Sequence, residues 1–560
     1  MHLSRVEWSR VGLWAAVWLL TLGALGIFIV PPERCTTPSA AEVERSAAAT
    51  VEWLVANQYD DDRWRYEFDR ETATDLPGYN IVRHAGVMTA LYQRHAWVGD
   101  PDAFATAERG LDWIDAELVV AGDGIAVLDG RSGSTGGSAL LAAALVFRRD
   151  AIGATDRDPL IAALARFMVD QQLPNGAVSA RYDLTAGAPV PDEFSPFFTG
   201  EAMWALALAG DRLDVPEWRE AAFRTLDYVA LERDDAEPEF PPNDDHWAGY
   251  ALGELAVDGL QEHHRDYVRR LAGLWSAEVR FDSQRTGEGL NRVARGGVGR
   301  DGVQGTNLEG MAGLWRAAAV DDGLSDVRDD LTDRIGCAAD MLVSRQVTDA
   351  EAALEPTPEA TAGAWFRNGL TRMDVQQHAL GGLTGAWAVL ATSDPPEGSA
   401  PVDLLEYIAT AALVAALVLP RRRTTVGVDP VWIGGSAAFL IAAALVGPEV
   451  LAAYDVSPTS ARLAVGVLVV ATLVAGWIGR DARSWPIAAS YPPAAVTVVV
   501  VAADLGRLAA VVATVAGLAV AEGLSRSRRY EIVDRLVGTG REALLILAAT
   551  VAVVSGAIGL

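Results

Sequence analysis

Lysine is absent from the 560 residues, so all 46 cationic side chains are arginines, set against 74 Asp and Glu for a net charge of −28. This balance, without basic patches of the nucleic-acid-binding kind, argues against nucleic acid or anionic lipid as partners. An acid-rich surface without lysine predicts adaptation to high salt, where self-repulsion is screened. A GC-rich genome that trades lysine codons for arginine gives the same bias, and together they point to a halophilic archaeal source. Only two cysteines occur, Cys35 and Cys337, which excludes a disulfide framework and a Cys-rich zinc site. Whether the two pair is left open, since spacing alone does not establish the geometry.

Between residues 36 and 400 there is no apolar run long enough to span a bilayer, and 61 of the 74 acids fall there. The flanks are the opposite. "VGLWAAVWLLTLGALGIFIV" (11–30) is long enough to cross a bilayer. No clean small-x-small cleavage site follows it, which favours an uncleaved anchor over a signal peptide. Further apolar runs lie near 403–420, 431–447, 463–479, 486–503, 508–521 and 541–559. Ten of the twelve arginines after residue 401 fall in alternate loops, at 421–423, 480–483 and 526–541. The positive-inside rule places those loops and Arg5 and Arg10 in the cytoplasm. The expected organisation is a cytoplasmic N-terminus with an anchor (1–35), an extracellular domain (36–390), a linker (391–401) and a multi-pass region (402–560). Seven spans would contact membrane lipid. They hold almost no ionisable residue, which favours an anchor or platform over a transport path.

Two kinds of helix alternate in the outer domain. Six segments begin with polar residues and continue with small, apolar ones: 79–93, 134–147, 195–210, 244–257, 305–319 and 374–390. Few charges lie past their first turns, as expected of helices buried on most sides. Between them, near 40–57, 102–119, 157–172, 216–232, 260–278 and 325–346, lie amphipathic, charged helices. Six repeats of such a pair predict an all-α (α/α)6 toroid with an inner ring inside an outer one. Long connections run only from outer to inner helices, so the polar starts of the inner helices should gather at one mouth.

There the chain would present Tyr79, Arg83, His84, Glu201, Asp245, His246, Trp247, Asn307, Glu309, Gln377 and His378. Acids, amides and aromatic faces are the groups that hold sugar hydroxyls and rings. Glu201, Asp245 and Glu309 are the candidate acid/base carboxylates of a glycosidase-like reaction. Tyr79, Arg83, His84, His246, Trp247, Asn307, Gln377 and His378 are candidate substrate contacts. In a lyase or epimerase, His84, His246 or His378 would instead remove a proton while Arg83 neutralises a sugar acid. The bland readings stay open. Asp244, Thr306 and Asp374 sit where helix caps belong, and His246 and His378 have the surroundings of satisfied core histidines. No cofactor and no metal are expected, and the acidic "YDDDRW" reads as a solvated charge run.

"YNIVRHAG", "FFTGEAMWALA", "DDHWAGYALGEL", "TNLEG" and "MDVQQHALGGL", in this order over most of 50–390, resemble motifs of six-hairpin, glycosidase-like toroid proteins. Thr199 stands where those motifs usually carry proline. The resemblance implies the (α/α)6 fold and a carbohydrate-active pocket, and it supplies no reaction. "VANQYDDDRWRYEF" and "DQQLPNGAVSARY" also resemble repeats of terpene cyclases and prenyltransferases, yet no DxDD acid motif or Cys–His zinc set accompanies them. The expected function is therefore a membrane-anchored, glycoside hydrolase-like protein acting on surface glycans. A lyase, an epimerase, a non-catalytic glycan-binding or assembly module, or a terpene cyclase-like toroid remain as alternatives.

Overall fold

Short polar caps set where several of the helices begin. Asn80 accepts from the Arg83 N–H, Ser134 from Gly137 and Asp245 from Trp247, while Asp100 precedes a proline at the first helical position. In the computed structural model, which describes residues 35–237, 245–285 and 297–393, twelve long helices result. They are α1 (Ala40–Ala56), α2 (Ile81–Val98), α3 (Pro101–Ile114), α4 (Thr135–Ile152), α5 (Asp158–Gln171) and α6 (Phe198–Arg212), then α7 (Pro216–Leu231), α8 (His246–Leu255), α9 (Glu262–Ser283), α10 (Gln304–Val320), α11 (Ser325–Arg345) and α12 (Met373–Leu390).

The even-numbered helices form a closed inner ring. Each packs on the next, from α2 through α4, α6, α8 and α10 to α12, and α12 returns to α2. Their sequences explain the closeness. Small residues let neighbouring backbones touch: a Cβ added at Gly249 of α8 would stand 2.6 Å from the Gly310 carbonyl oxygen of α10. The odd-numbered helices bury one face against this ring, with Trp53, Trp218 and Trp275 among their buried residues. This is the expected (α/α)6 toroid, drawn from its own contacts.

A repeated glutamine staples the outer ring. Gln58, just past α1, donates to the Thr106 carbonyl of α3 (3.2 Å). Gln172, at the end of α5, donates to the Ala221 carbonyl of α7 (2.7 Å). Gln346, at the end of α11, donates to the Ser46 carbonyl of α1 (2.9 Å) and so closes the circle. The segments that resemble terpene-cyclase repeats carry the first two of these staples, so their pattern has a structural explanation here.

The all-α expectation needs one correction. Two small antiparallel sheets lie in the long connections. One has the order β2 (Thr74–Leu76), β1 (Glu67–Asp69), β8 (Leu370–Arg372); the other runs β3 (Leu118–Ala121), β4 (Gly124–Asp129), β5 (Ser132–Ser134), β6 (Arg181–Asp183), β7 (Ala188–Pro189). The expected helix over 102–119 ends at Ile114, because "LVVAGDGIAVLD" alternates at the strand period and turns at Gly122, whose φ is +58°. Cys35 and Cys337 form a disulfide with Cα atoms 5.1 Å apart, tying the start of the described chain to α11.

Among the described residues no helix is long and apolar enough to cross a membrane. The anchor at 11–30, the spans after 402, nearly all of the linker, and Asp244 lie outside the described residues.

Candidate active site

The starts of the inner helices surround a cavity of about 730 Å³. Of the expected site residues, Arg83, Glu201, His246, Trp247, Asn307, Gln377 and His378 line it. Tyr79, His84, Asp245 and Glu309 do not.

The reasons differ. His84 is fully buried and both ring nitrogens are satisfied: Nε2–H donates to the Gly110 carbonyl (2.9 Å), and the Tyr79 hydroxyl donates to Nδ1 (2.7 Å). Trp64 and Trp113 flank the ring. Burial pushes its pKa down to about 3, so it is a neutral core histidine, and Tyr79 is its support. Neither reaches the cavity, contrary to the expectation that they bind substrate. Asp245 is also fully buried. It caps α8 through the Trp247 N–H (3.1 Å) and pairs with Arg233 (3.0 Å), whose other nitrogen holds the Pro196 carbonyl (2.8 Å). It packs against Gly200 behind Glu201, so its charge acts on that residue and not directly on a ligand.

Glu201, in the first turn of α6, is buried with Oε2 lacking a hydrogen-bond partner. Burial raises its pKa well above the ordinary range, and the Asp245 charge adds to this. Gly136 of α4 makes room for the carboxyl, because a Cβ there would collide with Oε2. Glu201 thus brings to the cavity wall a carboxyl biased towards its neutral form, with one buried oxygen left unpaired.

Across the wall, His246 of α8, Glu309 of α10 and His378 of α12 form one cluster. His378 Nδ1 lies 2.6 Å from Glu309 Oε2, and His246 Nε2 lies 3.7 Å from the same oxygen without a hydrogen bond of its own. The two imidazoles stand edge to face at 4.9 Å. Their titrations diverge. Burial and the neighbouring His378 push His246 well below the usual range. Burial would lower His378 too, but the Glu309 charge and hydrogen bond outweigh it and raise its pKa. Burial raises Glu309, with His378 opposing. The cluster thus sets a histidine biased towards its neutral form beside one biased towards its charged form. Its three groups are of types that bind metals and lie within 4.8 Å of one another. The 2.6 Å contact, however, is the length of a charge-assisted hydrogen bond, shorter than the spacing of two ligands around one ion at usual bond lengths. A second such group, Asp227, His263 and His264, sits on the outer ring with both histidines on one carboxylate oxygen.

Sequence reading missed several lining residues. Phe197, 46% exposed, sits at the lip with its ring 6.2 Å from His246. Arg372 and Arg83 both bind Asp374, through Arg372 Nε to Oδ1 (2.6 Å) and Arg83 Nε to Oδ2 (2.9 Å). Burial alone would raise the Asp374 pKa; the two guanidinium groups hold it below the usual range. Asp374, the second residue of α12, therefore binds two arginines and does not cap the helix as its position suggested. Arg367 lies on a turn in the β8 hairpin, in no helix pattern. The FF pair preceding "TGEA" and the arginine preceding "MDVQQH" were the available signals.

No family model matches the chain, and no curated protein matches it by sequence. Solved structures do resemble it. A cellobiose 2-epimerase from Spirochaeta thermophila is 14% identical, with 63% of this chain and 96% of that one covered and a TM-score of 0.47. A glycoside hydrolase family 76 mannosidase from Bacteroides thetaiotaomicron is 11% identical, covering 62% and 98%, with a TM-score of 0.41. A type II terpene cyclase from Scytonema is 14% identical, covering 62% and 99%, with a TM-score of 0.38. These neighbours include six-hairpin, glycosidase-like toroids; their printed activities differ from one another and none transfers on such a likeness.

Proposed function

We propose that the cavity binds a sugar and moves a proton on it, as an epimerase, isomerase or lyase does. The observation that carries this is the His246–Glu309–His378 cluster: a neutral imidazole with an unused nitrogen beside an imidazolium, both lining one cavity. His246 Nε2 takes the proton from a carbon next to a carbonyl or carboxylate, and the electron pair passes to that oxygen. His378 supplies a proton to the resulting enediolate, with Glu309 holding it charged until then. The neutral Glu201 donates a hydrogen bond to the substrate, and Phe197 offers a face for the ring.

The test is solvent exchange. The full chain, incubated in D2O with a panel of aldoses and uronic acids, should place deuterium on carbon, read by NMR, and His246→Ala should abolish it. Release of reducing ends without exchange would refute the proposal and favour hydrolysis. One observation supports that second reading, namely the raised pKa and unused oxygen of Glu201, which suit a general acid. A two-carboxylate pairing with Asp245 has less support, since Arg233 occupies that residue.

We also propose that the toroid faces the outside of a membrane. The alternation of arginines after residue 401 supports this, as does the Cys35–Cys337 disulfide, a bond that persists in oxidising compartments. Intact cells treated with a membrane-impermeant reductant and thiol label should become labelled at these cysteines. Labelling only after lysis would place the domain inside.

A further inference from the structure

The proton-transfer reading leaves the substrate unnamed, and the charges around the cavity narrow it. Seven carboxylate or guanidinium groups line it, and six are accounted for. Asp374 is shared by Arg83 and Arg372, and Arg83 also donates to the Tyr66 hydroxyl. Glu67 stands opposite Arg372 in the β1–β8 register and contributes to its field. Asp301 is held by Arg345 at 3.2 Å. Glu201 is the buried acid already described. The seventh is Arg367.

Arg367 is exposed, lines the cavity, and has no carboxylate partner among the described residues. Arg45, Arg131, Arg166, Arg224 and Arg328 also have no ion pair among the described residues, but none of these lines the cavity. Its position is fixed by the backbone. Arg367 pairs with Leu370 across a tight turn in which Asn368 has φ +52° and Gly369 φ +81°. Phe366, before it, is buried and its N–H donates to the Arg300 carbonyl (2.6 Å). The turn sets the backbone of Arg367 and Asn368 at the lip, beside the helix that carries His378. A planar guanidinium with no internal partner is suited to a carboxylate or a sulfate ester, which it can grip with two parallel hydrogen bonds.

Resting on the sugar-binding reading above, we infer that the cavity takes an acidic sugar, a pyranose with a carboxylate or sulfate substituent, and that Arg367 with Asn368 receives that anion. The carboxylate of a uronic acid would also acidify the adjacent C–H that the histidine pair is placed to attack.

Titration calorimetry of the full chain in detergent tests this, using oligogalacturonate, a 6-sulfated N-acetylglucosamine and neutral cello- and manno-oligosaccharides as probes. The acidic probes, or one of them, should bind more tightly than the neutral ones, and the preferred probe identifies the anion. Arg367→Ala should weaken that binding about ten- to a hundredfold and leave neutral-sugar affinity unchanged. Arg367→Lys should recover only part, since a point charge lacks the fork. Neutral probes binding as well as acidic ones, or Arg367→Ala weakening both alike, would overturn the inference. The same titrations with His246→Ala keep the two proposals apart. Arg367-dependent uronate binding without any deuterium exchange in the wild type would sustain the subsite and remove the proton-transfer reading. Exchange on neutral sugars alone would do the reverse.

Discussion

His84 is the fourth residue of the first inner helix and His246 the first residue of the fourth, and burial pushes the pKa of both down. They differ in what their nitrogens meet. His84 has a hydroxyl on one side and a carbonyl on the other, inside a wall of tryptophans. His246 lines the cavity and has a buried, unpaired Nε2 beside a second histidine and a carboxylate. Burial without a partner is costly unless a ligand completes the set. Both are buried in the first turn of an inner helix, and hydrogen-bond completeness is what separates the scaffold residue from the candidate for chemistry.

The comparison breaks most sharply at the cluster. Glu309→Gln keeps the shape but removes the charge that holds His378 protonated, and turnover should fall about 10²–10⁴-fold with little change in melting temperature. An unchanged kcat would return Glu309 to the scaffold. His84→Leu should do the opposite, with the Gly110 carbonyl and Tyr79 hydroxyl left unpaired. The expected loss is about 2–5 kcal/mol of stability, measured by denaturant unfolding, with kcat per folded molecule preserved.

Acid titration sharpens the contrast further. The folded-state pKa of His84 is depressed, so its contribution is complete above the ordinary histidine range and is lost as pH falls from about 6.5 toward 3. The slope should approach 1.4 kcal/mol per pH unit, and His84→Leu should remove about one proton from the uptake on unfolding. Turnover should respond differently, falling as pH rises through the elevated pKa of His378, because the imidazolium is the proton donor. The smallest effect belongs to Tyr79→Phe, which deletes the hydrogen bonds to His84 and from the Trp64 N–H and should cost about 1–3 kcal/mol without altering sugar affinity.

Much of this was legible beforehand because helix pairs write themselves in period and composition. The twelve helices and the short links at one end follow from alternating small-apolar and amphipathic segments. Seven of eleven expected site residues line the cavity because inner-helix starts must converge. His84 misled because its partners, Gly110 and Trp113, come from a helix that the pattern of its own segment cannot reveal. Asp245 misled because its partner, Arg233, sits on the single-turn helix Arg233–Ala236 after α7. The sheets and Arg367 stayed hidden because short strands and tight turns carry too few residues for periodicity to register.

The staple from Gln346 to Ser46 spans 300 positions, and His378 enters from the twelfth helix. A ribosome must therefore deliver nearly the whole domain before the first and last hairpins can meet, and until then the acid partner His378 and the closing clasp are missing together. Maturation and competence should consequently arrive in one step, late in synthesis, with slow, chaperone-sensitive assembly as the cost of building a cavity from both extremes of a long polypeptide.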